Sequence, residues 1–342
     1  MLEVKNKFRI FLIIIALTIL LAIPRFNHYV APDSTHYVEL AAYFDDSLAR
    51  EELRPPFVYR ILVPYLASLG PTSLLDLNFA IINTGFTIAA FIVFYFYLQK
   101  LLDDRTQFNF GLLLLIVAFP TINYASGVMT DAAGFFFFVL ATYLFLIKRF
   151  FLFTAVLTIG VMAREAILVL LLAVVVYQVS TYLRGAIEKR RPWLFLSLVP
   201  PILIYLSIRL YFSDLPSFFW SPSWRQLIFT VSRPVAWTTF LLTLVPPLFF
   251  ISIAYKQQLV PTAEIRSKWS FHTKSLLLSL TIAAIFLNIY SITSAALSGR
   301  FVWPFYVVLV PMAAAYFRDD GSPIFSMTAR IANKIFGNPS MI

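Results

Sequence analysis

Nine arginines and no lysine fall in or beside the segments that charge assigns to one side of this chain: Arg25, Arg50, Arg54, Arg60, Arg164, Arg209, Arg225, Arg233 and Arg300. All nine lysines fall on the other side. A guanidinium presents a planar fork that matches a phosphate or carboxylate in a low-dielectric site, which an ammonium does not. The split therefore points either to an anionic ligand on the arginine side or to ordinary arginine–acid pairing at a membrane rim. Ten of the 17 acidic residues share that side, among them Asp33, Glu39, Asp45, Asp46, Asp131, Glu165 and Asp214. Any chemistry the chain performs is expected there.

The elements that must position these groups are membrane spans. The 342 residues are 60% hydrophobic and 13% charged, against roughly 45–50% and 25% in an ordinary soluble domain. Apolar runs recur from residue 8 to residue 317, which predicts one polytopic, all-α integral membrane domain over residues 1–342. A basic N-terminus precedes the first run, which has no small-residue cleavage site after it and reads as an uncleaved anchor. Nine further spans are expected near 77–99, 108–123, 127–147, 150–163, 165–183, 193–212, 237–255, 275–293 and 301–317. Lys and Arg then concentrate in alternate loops, placing both termini in the cytoplasm and the arginine side outside. The net charge of +10 has the same origin, and nucleic acid is not expected as a partner. With no cysteine in the chain, disulfides and thiol or thiolate-metal chemistry are excluded.

Two outer loops interrupt the hydrophobicity, 24–76 and 213–236. In the first, Asp33 or Ser34 can cap a helix on which Tyr37, Leu40, Ala41 and Phe44 recur at helical spacing, an amphipathic surface helix. Asp33 is on that reading a cap, or else a free carboxylate for chemistry. A second, partly inserted helix is expected over Pro55–Ala67, with Arg60 turned toward protein because an arginine exposed to hydrocarbon is costly. Asp33 and His36 could hold a divalent cation with Asp45 or Asp46. Asp131 and Arg164 lie at span ends and can form an internal ion pair or face a ligand. Arg300 is an interfacial anchor or a ligand contact. In the second loop Trp220, Trp224 and Trp237 fit an aromatic belt or a sugar-stacking surface. Phe135–Phe138 are expected to face lipid.

The order of these features resembles a family. One span, then a long outer loop with Asp33, Tyr37 and Ala41 in a D-x-x-x-Y-x-x-x-A run, then the Pro56-Phe57…Tyr59-Arg60 segment, is similar to the GT-C superfamily of polytopic glycosyltransferases, in its mannosyltransferase-like branch. Thr130-Asp131, Ala163-Arg164-Glu165 and Gly299-Arg300-Phe-Val-Trp-Pro304 extend the likeness along the chain. The resemblance implies a donor sugar on a polyprenyl phosphate in the membrane, transferred with inversion to an acceptor hydroxyl of a glycan, lipid or protein at the extracytoplasmic face. It implies Asp33 as general base, Arg300, Arg164 and Arg60 on the donor phosphate, and His36, Tyr37, Tyr59, Asp131 and Glu165 as substrate contacts. No cofactor is implied, with a divalent cation as the alternative. Short loops suggest a prokaryotic plasma membrane. A flippase or transporter of an anionic lipid and a non-catalytic membrane subunit are the rival readings.

Overall fold

The computed structural model describes residues 2–23, 33–183, 192–216, 221–256, 269–295, 297–315, and 328, 331 and 335, with side chains from residue 9 onward except at 192, 193 and 254–256. Arg25, His28 and Trp220, and most of the lysine-rich loops, lie outside the described residues. Helices and loops make up what is described, with no strand among these residues.

The first helix, α1 (Leu2–Ala22), packs against α4 (Leu75–Leu101), the longest helix of the bundle. Among the described residues, five helices are long and apolar enough to cross a membrane: Thr72–Leu101, Glu165–Leu183, Leu194–Tyr211, Pro234–Ile253 and Phe271–Ser294. Four shorter apolar helices accompany them, Arg9–Ala22, Asp131–Leu146, Phe150–Ala163 and Gly299–Ala315. Helix α7 (Asp131–Leu146) packs on α4, α8 (Phe150–Ala163) on α7 and α10 (Val199–Tyr211) on α8, while α9 (Val169–Leu183) packs on the helix Phe271–Ser294. One expected span is not a single helix. The run at 108–123 is split into α5 (Arg105–Ile116) and α6 (Phe119–Tyr124), because Pro120 at the start of α6 has no amide to donate to the Ile116 carbonyl four residues back, and its ring crowds that carbonyl.

The span expected from residue 127 begins at Asp131 instead, and the residues before it are held by α4. Asn83 Nδ2 donates to the carbonyls of Gly127 (2.7 Å) and Met129 (2.8 Å), and Thr87 Oγ1 to that of Ala125 (3.0 Å). Non-helical backbone is tolerated inside a membrane protein only when its polar groups find partners, and these side chains are the partners. Asn83 is fully buried. Its replacement by Leu strands two carbonyls, and a loss of about 1–3 kcal/mol for each unsatisfied group is expected. Thermal unfolding in detergent checks this, with Asn83→Leu expected to melt lower than a Leu substitution at lipid-exposed Gly85.

Phe135–Phe138 are not lipid-facing bulk as a group. Phe135, Phe137 and Phe138 are buried; Phe135 stacks on Trp303 (4.3 Å between centroids, 10° between planes) and Phe138 meets Phe305 edge-on. Hydropathy does not separate these positions from lipid-facing ones, because lipid tails are as apolar as a protein interior.

The first loop folds onto the bundle. Helix α2 (Ser34–Phe44) buries Tyr37, Leu40 and Ala41 as its spacing predicts, against α3 (Leu62–Ser68) and α4. The second expected helix is shorter than Pro55–Ala67: a single 3₁₀ turn at Phe57–Tyr59 precedes Arg60, and α3 starts only at Leu62. A separate apolar cluster of Leu40, Leu53, Val58, Tyr59, Ile208, Phe212 and Leu215 joins this loop to the end of α10. Arg50 closes the same junction, donating to both carboxylate oxygens of Asp214 (2.8 and 2.7 Å) and to the carbonyl of Tyr211. It holds the Asp214 carboxyl below the usual carboxylate range.

The second loop contains a helix that sequence reading did not place, α11 (Trp224–Val231). It leads into α12 (Pro234–Lys256) and packs on α13 (Phe271–Ser294). A short helix α14 (Gly299–Val302) and α15 (Tyr306–Ala315) complete the described chain.

Candidate active site

Every sequence-predicted site residue lies at one end of the bundle, and most meet in pairs. Asp33 begins α2, but its side chain caps no amide of that helix; its carboxylate accepts from Arg300 Nη2 at 3.0 Å, across 267 residues of chain. Cap chemistry is therefore not what occupies Asp33. Ser34, the other candidate cap, is buried and its hydroxyl has no protein partner.

Arg300 reaches Asp33 because α14 sits close on α12. A Cβ on Gly299 would lie 2.1 Å from Thr243 Oγ1 and 2.5 Å from the Thr239 carbonyl, so only glycine permits the approach. Ser298 Oγ accepts from the Arg300 amide at the start of the turn.

Arg60 turns inward as expected and is almost fully buried. It makes a two-pronged pair with Glu165 (Nε to Oε2 2.8 Å, Nη2 to Oε1 2.6 Å) and donates to the Tyr37 hydroxyl. Arg164 pairs with Asp131, the internal ion pair weighed above. One turn along α7 from Asp131, Gly134 makes room for it: a Cβ there would meet Arg164 Cδ at 2.8 Å and Cβ at 3.1 Å. Asp131 Oδ2 remains buried with no partner. The positive charges of Arg300 and Arg60 both act on Arg164, and the Phe301 ring lies within 6 Å of two guanidiniums, 5.7 Å from that of Arg164 and 5.9 Å from that of Arg300.

The three arginine–carboxylate pairs differ in exposure, and that ranks them. Arg60–Glu165 and Arg164–Asp131 have arginines 8% and 7% exposed, whereas in Arg300–Asp33 both partners are open, at 21% and 25%. The buried pairs build the site. The open one is available to a ligand. For Arg60 the structural consequence is testable, since removing one member of a buried pair costs about 3–5 kcal/mol. Arg60→Met is expected to destabilise by the lower part of that range, because Glu165 is 22% exposed, and Arg60→Met/Glu165→Leu to recover most of the loss. Chemical denaturation of the two variants in detergent measures it.

His36 stacks on Phe57 (4.5 Å) and its Nδ1 lies 2.9 Å from Glu39, while Asp45 accepts from Thr72. The Asp33, His36, Asp45 or Asp46 cation set is thus not assembled, and no cluster of three or more His, Asp or Glu able to hold a metal is found among the described residues. Tyr59 is buried beneath Arg209, whose guanidinium carbon is 4.2 Å from its ring centroid and 4.8 Å from that of Tyr205. Sequence reasoning put Arg209 on this side without giving it a contact, and it missed Asn83 and Thr87. Polar residues spaced by four within the apolar run of α4 were the available signal for the latter two.

Two openings serve this end. A cleft of about 540 Å³ is lined by Glu39, Glu51, Glu52, Arg54 and Pro216. A groove of about 310 Å³ runs between α12, α13 and α15, walled by Phe240, Leu244, Ala284, Ile289 and Leu309, with Val302 in its wall two residues from Arg300. Asn288 and Thr281 in that wall spend their donors on carbonyls of their own helix, leaving an apolar lining.

Against solved structures, the chain superposes on the crystal structure of ArnT from Cupriavidus metallidurans bound to undecaprenyl phosphate, with a TM-score of 0.66 over 95% of this chain and 14% sequence identity. The fold is that of ArnT. The match covers 62% of the ArnT chain, so this chain spans less than two thirds of that protein's length. No family model matches the sequence, and no curated protein sequence matches it. The likeness is one of architecture, and it agrees with the membrane fold to which the first-loop motifs pointed.

Proposed function

We propose that this protein is an integral membrane glycosyltransferase that moves a sugar from a polyprenyl phosphate to an acceptor hydroxyl at the extracytoplasmic face, with inversion. The observation that carries the reading is the open Asp33–Arg300 pair, placed beside an apolar groove in a fold shared with a protein crystallised with undecaprenyl phosphate. Neither a flippase nor a scaffold requires a carboxylate and a guanidinium gathered from opposite ends of the chain at the head of such a groove.

The donor's isoprenoid tail lies in the groove and brings its phosphate to Arg300. Phosphate binding at Arg300 competes with the Asp33 carboxylate and frees it. Asp33 then takes the proton of the acceptor hydroxyl, whose oxygen attacks the anomeric carbon from the face opposite the phosphate. The bond from that carbon to the phosphate oxygen breaks, and the departing polyprenyl phosphate keeps the electron pair. Arg300 stabilises the charge that develops there, in a site where burial strengthens such contacts. Arg164 adds positive potential from behind, and the half-buried His36, three residues along α2 from Asp33, meets sugar hydroxyls. Arg60 and Glu165 act through each other by fixing Tyr37. The acceptor enters from water through the cleft beside Glu39, one to two turns along α2 from Asp33. This chemistry needs no cofactor.

Native mass spectrometry of the purified protein tests the reading at its lipid step. Wild type is expected to retain added undecaprenyl phosphate in preference to a neutral polyprenol of the same length. Equal retention of the two lipids would contradict it. Retention without any transfer in membranes supplied with donor would favour the flippase.

A further inference from the structure

Helix α11 has one face with a protein partner and one without. Ser223 Oγ caps it by accepting from the Gln226 amide (3.1 Å). On the packed face Thr230 is buried, the Ser223 amide donates to the Thr293 carbonyl (2.9 Å), and the Gln226 side chain donates to the carbonyl of Ala295. On the other face Trp224, Ile228 and Val231 recur at i, i+4 and i+7 and are 81%, 68% and 45% exposed. That is a continuous apolar stripe on a helix of about 12 Å, far too short to span a bilayer.

The stripe has a basic edge. At about 100° per residue, Arg225 falls beside it, and Phe229 follows on the same side with Arg233 stacked over its ring (3.7 Å). No acidic residue occurs anywhere from Leu215 to Lys256. Exposed apolar side chains follow on the membrane helix α12, at Val235, Leu241, Leu242 and Val245.

We infer that α11 is an interfacial helix that docks on the outer leaflet. Its Trp224–Ile228–Val231 stripe sinks roughly 5–10 Å into the boundary between headgroups and acyl chains, and Arg225 and Arg233 bind the phosphates of anionic lipids. The exposed apolar side chains of the membrane helix α12 that follows it, and positive charge with no acidic residue from Leu215 to Lys256, select a bilayer surface over a protein partner. The anchors at Thr293 and Ala295 lie only a few residues before Arg300, so the docked helix also fixes the height of the Arg300 turn in the membrane. The inference does not depend on the transfer chemistry.

The native chain lacks cysteine, so single nitroxides can be placed in the full protein. Ile228→Cys and Ser232→Cys, both at exposed positions, are labelled after reconstitution into phosphatidylcholine vesicles with and without phosphatidylglycerol. Power-saturation spectroscopy then compares collisions with oxygen and with a water-soluble nickel chelate. At residue 228 oxygen is expected to dominate, and at 232 the chelate. Phosphatidylglycerol should deepen the 228 probe, and Arg225→Gln/Arg233→Gln should remove that shift. Chelate-dominated collisions at 228 would overturn the inference. Shielding of 228 from both reagents would also overturn it, pointing to a protein contact, and spin–spin broadening would identify that contact as a second copy. The same depth with and without phosphatidylglycerol would overturn the anionic-lipid part.

Discussion

Asp33→Asn is expected to cut sugar transfer by about 10²–10⁴-fold while the protein folds and inserts normally. The side chain of Asp33 caps no amide of α2, and its carboxylate is a quarter exposed, so the substitution removes a proton acceptor without opening a cavity. Asn retains the shape and one acceptor oxygen for Arg300. A residue serving only as a helix cap would behave in the opposite way, losing up to about 1–2 kcal/mol of stability on truncation with little effect on rate. Initial rates and melting temperatures measured together on Asp33→Asn and Asp33→Ala separate the two roles. Asp33→Glu keeps the base but moves it by one methylene, and should fall between wild type and Asn.

Arg300→Ala is expected to lower turnover by about 10²–10³-fold and to weaken retention of polyprenyl phosphate. Arg300 is the one arginine of the three pairs that a ligand can reach without breaking a buried ion pair, so the loss is one of function more than of stability. Arg300→Lys keeps the charge and should recover part of the binding, yet it lacks the fork that matches two phosphate oxygens. Asp33 is left without its partner in Arg300→Ala. If Arg300 masks the base until donor arrives, transfer to water, seen as slow donor hydrolysis, should rise relative to transfer to acceptor in that variant. Partition of product between the two, measured by chromatography of released sugar, checks it.

Much of this arrangement is written locally in the chain, and the part that is not concerns partners. The burial of Tyr37, Leu40 and Ala41 follows from 3.6-residue spacing, and the inward turn of Arg60 from the cost of a charge in hydrocarbon; both are seen. The Asp131–Arg164 pair could be anticipated because both residues stand at adjacent span ends. Which carboxylate Arg60 chooses could not, since Glu165 is 105 residues away and Asp33, Glu39 and Asp131 were equally eligible by charge. Asp33 illustrates the same limit: its position before a helix predicts a cap, but a guanidinium brought up from the short helix Gly299–Val302 outcompetes the α2 amides. Phe135 was misassigned because hydropathy carries no information on whether an apolar side chain meets lipid or Trp303. Helix α11 was hidden among prolines, serines and tryptophans that read as belt and turn, although Ser223 preceding an apolar i, i+4, i+7 pattern was a usable start signal.

The proposed glycosyl transfer requires both Asp33 and Arg300. Mass spectrometry of lipid-linked and surface glycans addresses it most directly, in cells lacking the protein and complemented at matched expression with wild type, Asp33→Asn or Arg300→Ala. One sugar is expected to disappear from the glycans and its polyprenyl-phosphate donor to accumulate, with only wild type reversing both changes. An unchanged glycan profile, or equal rescue by all three proteins, would contradict the proposal.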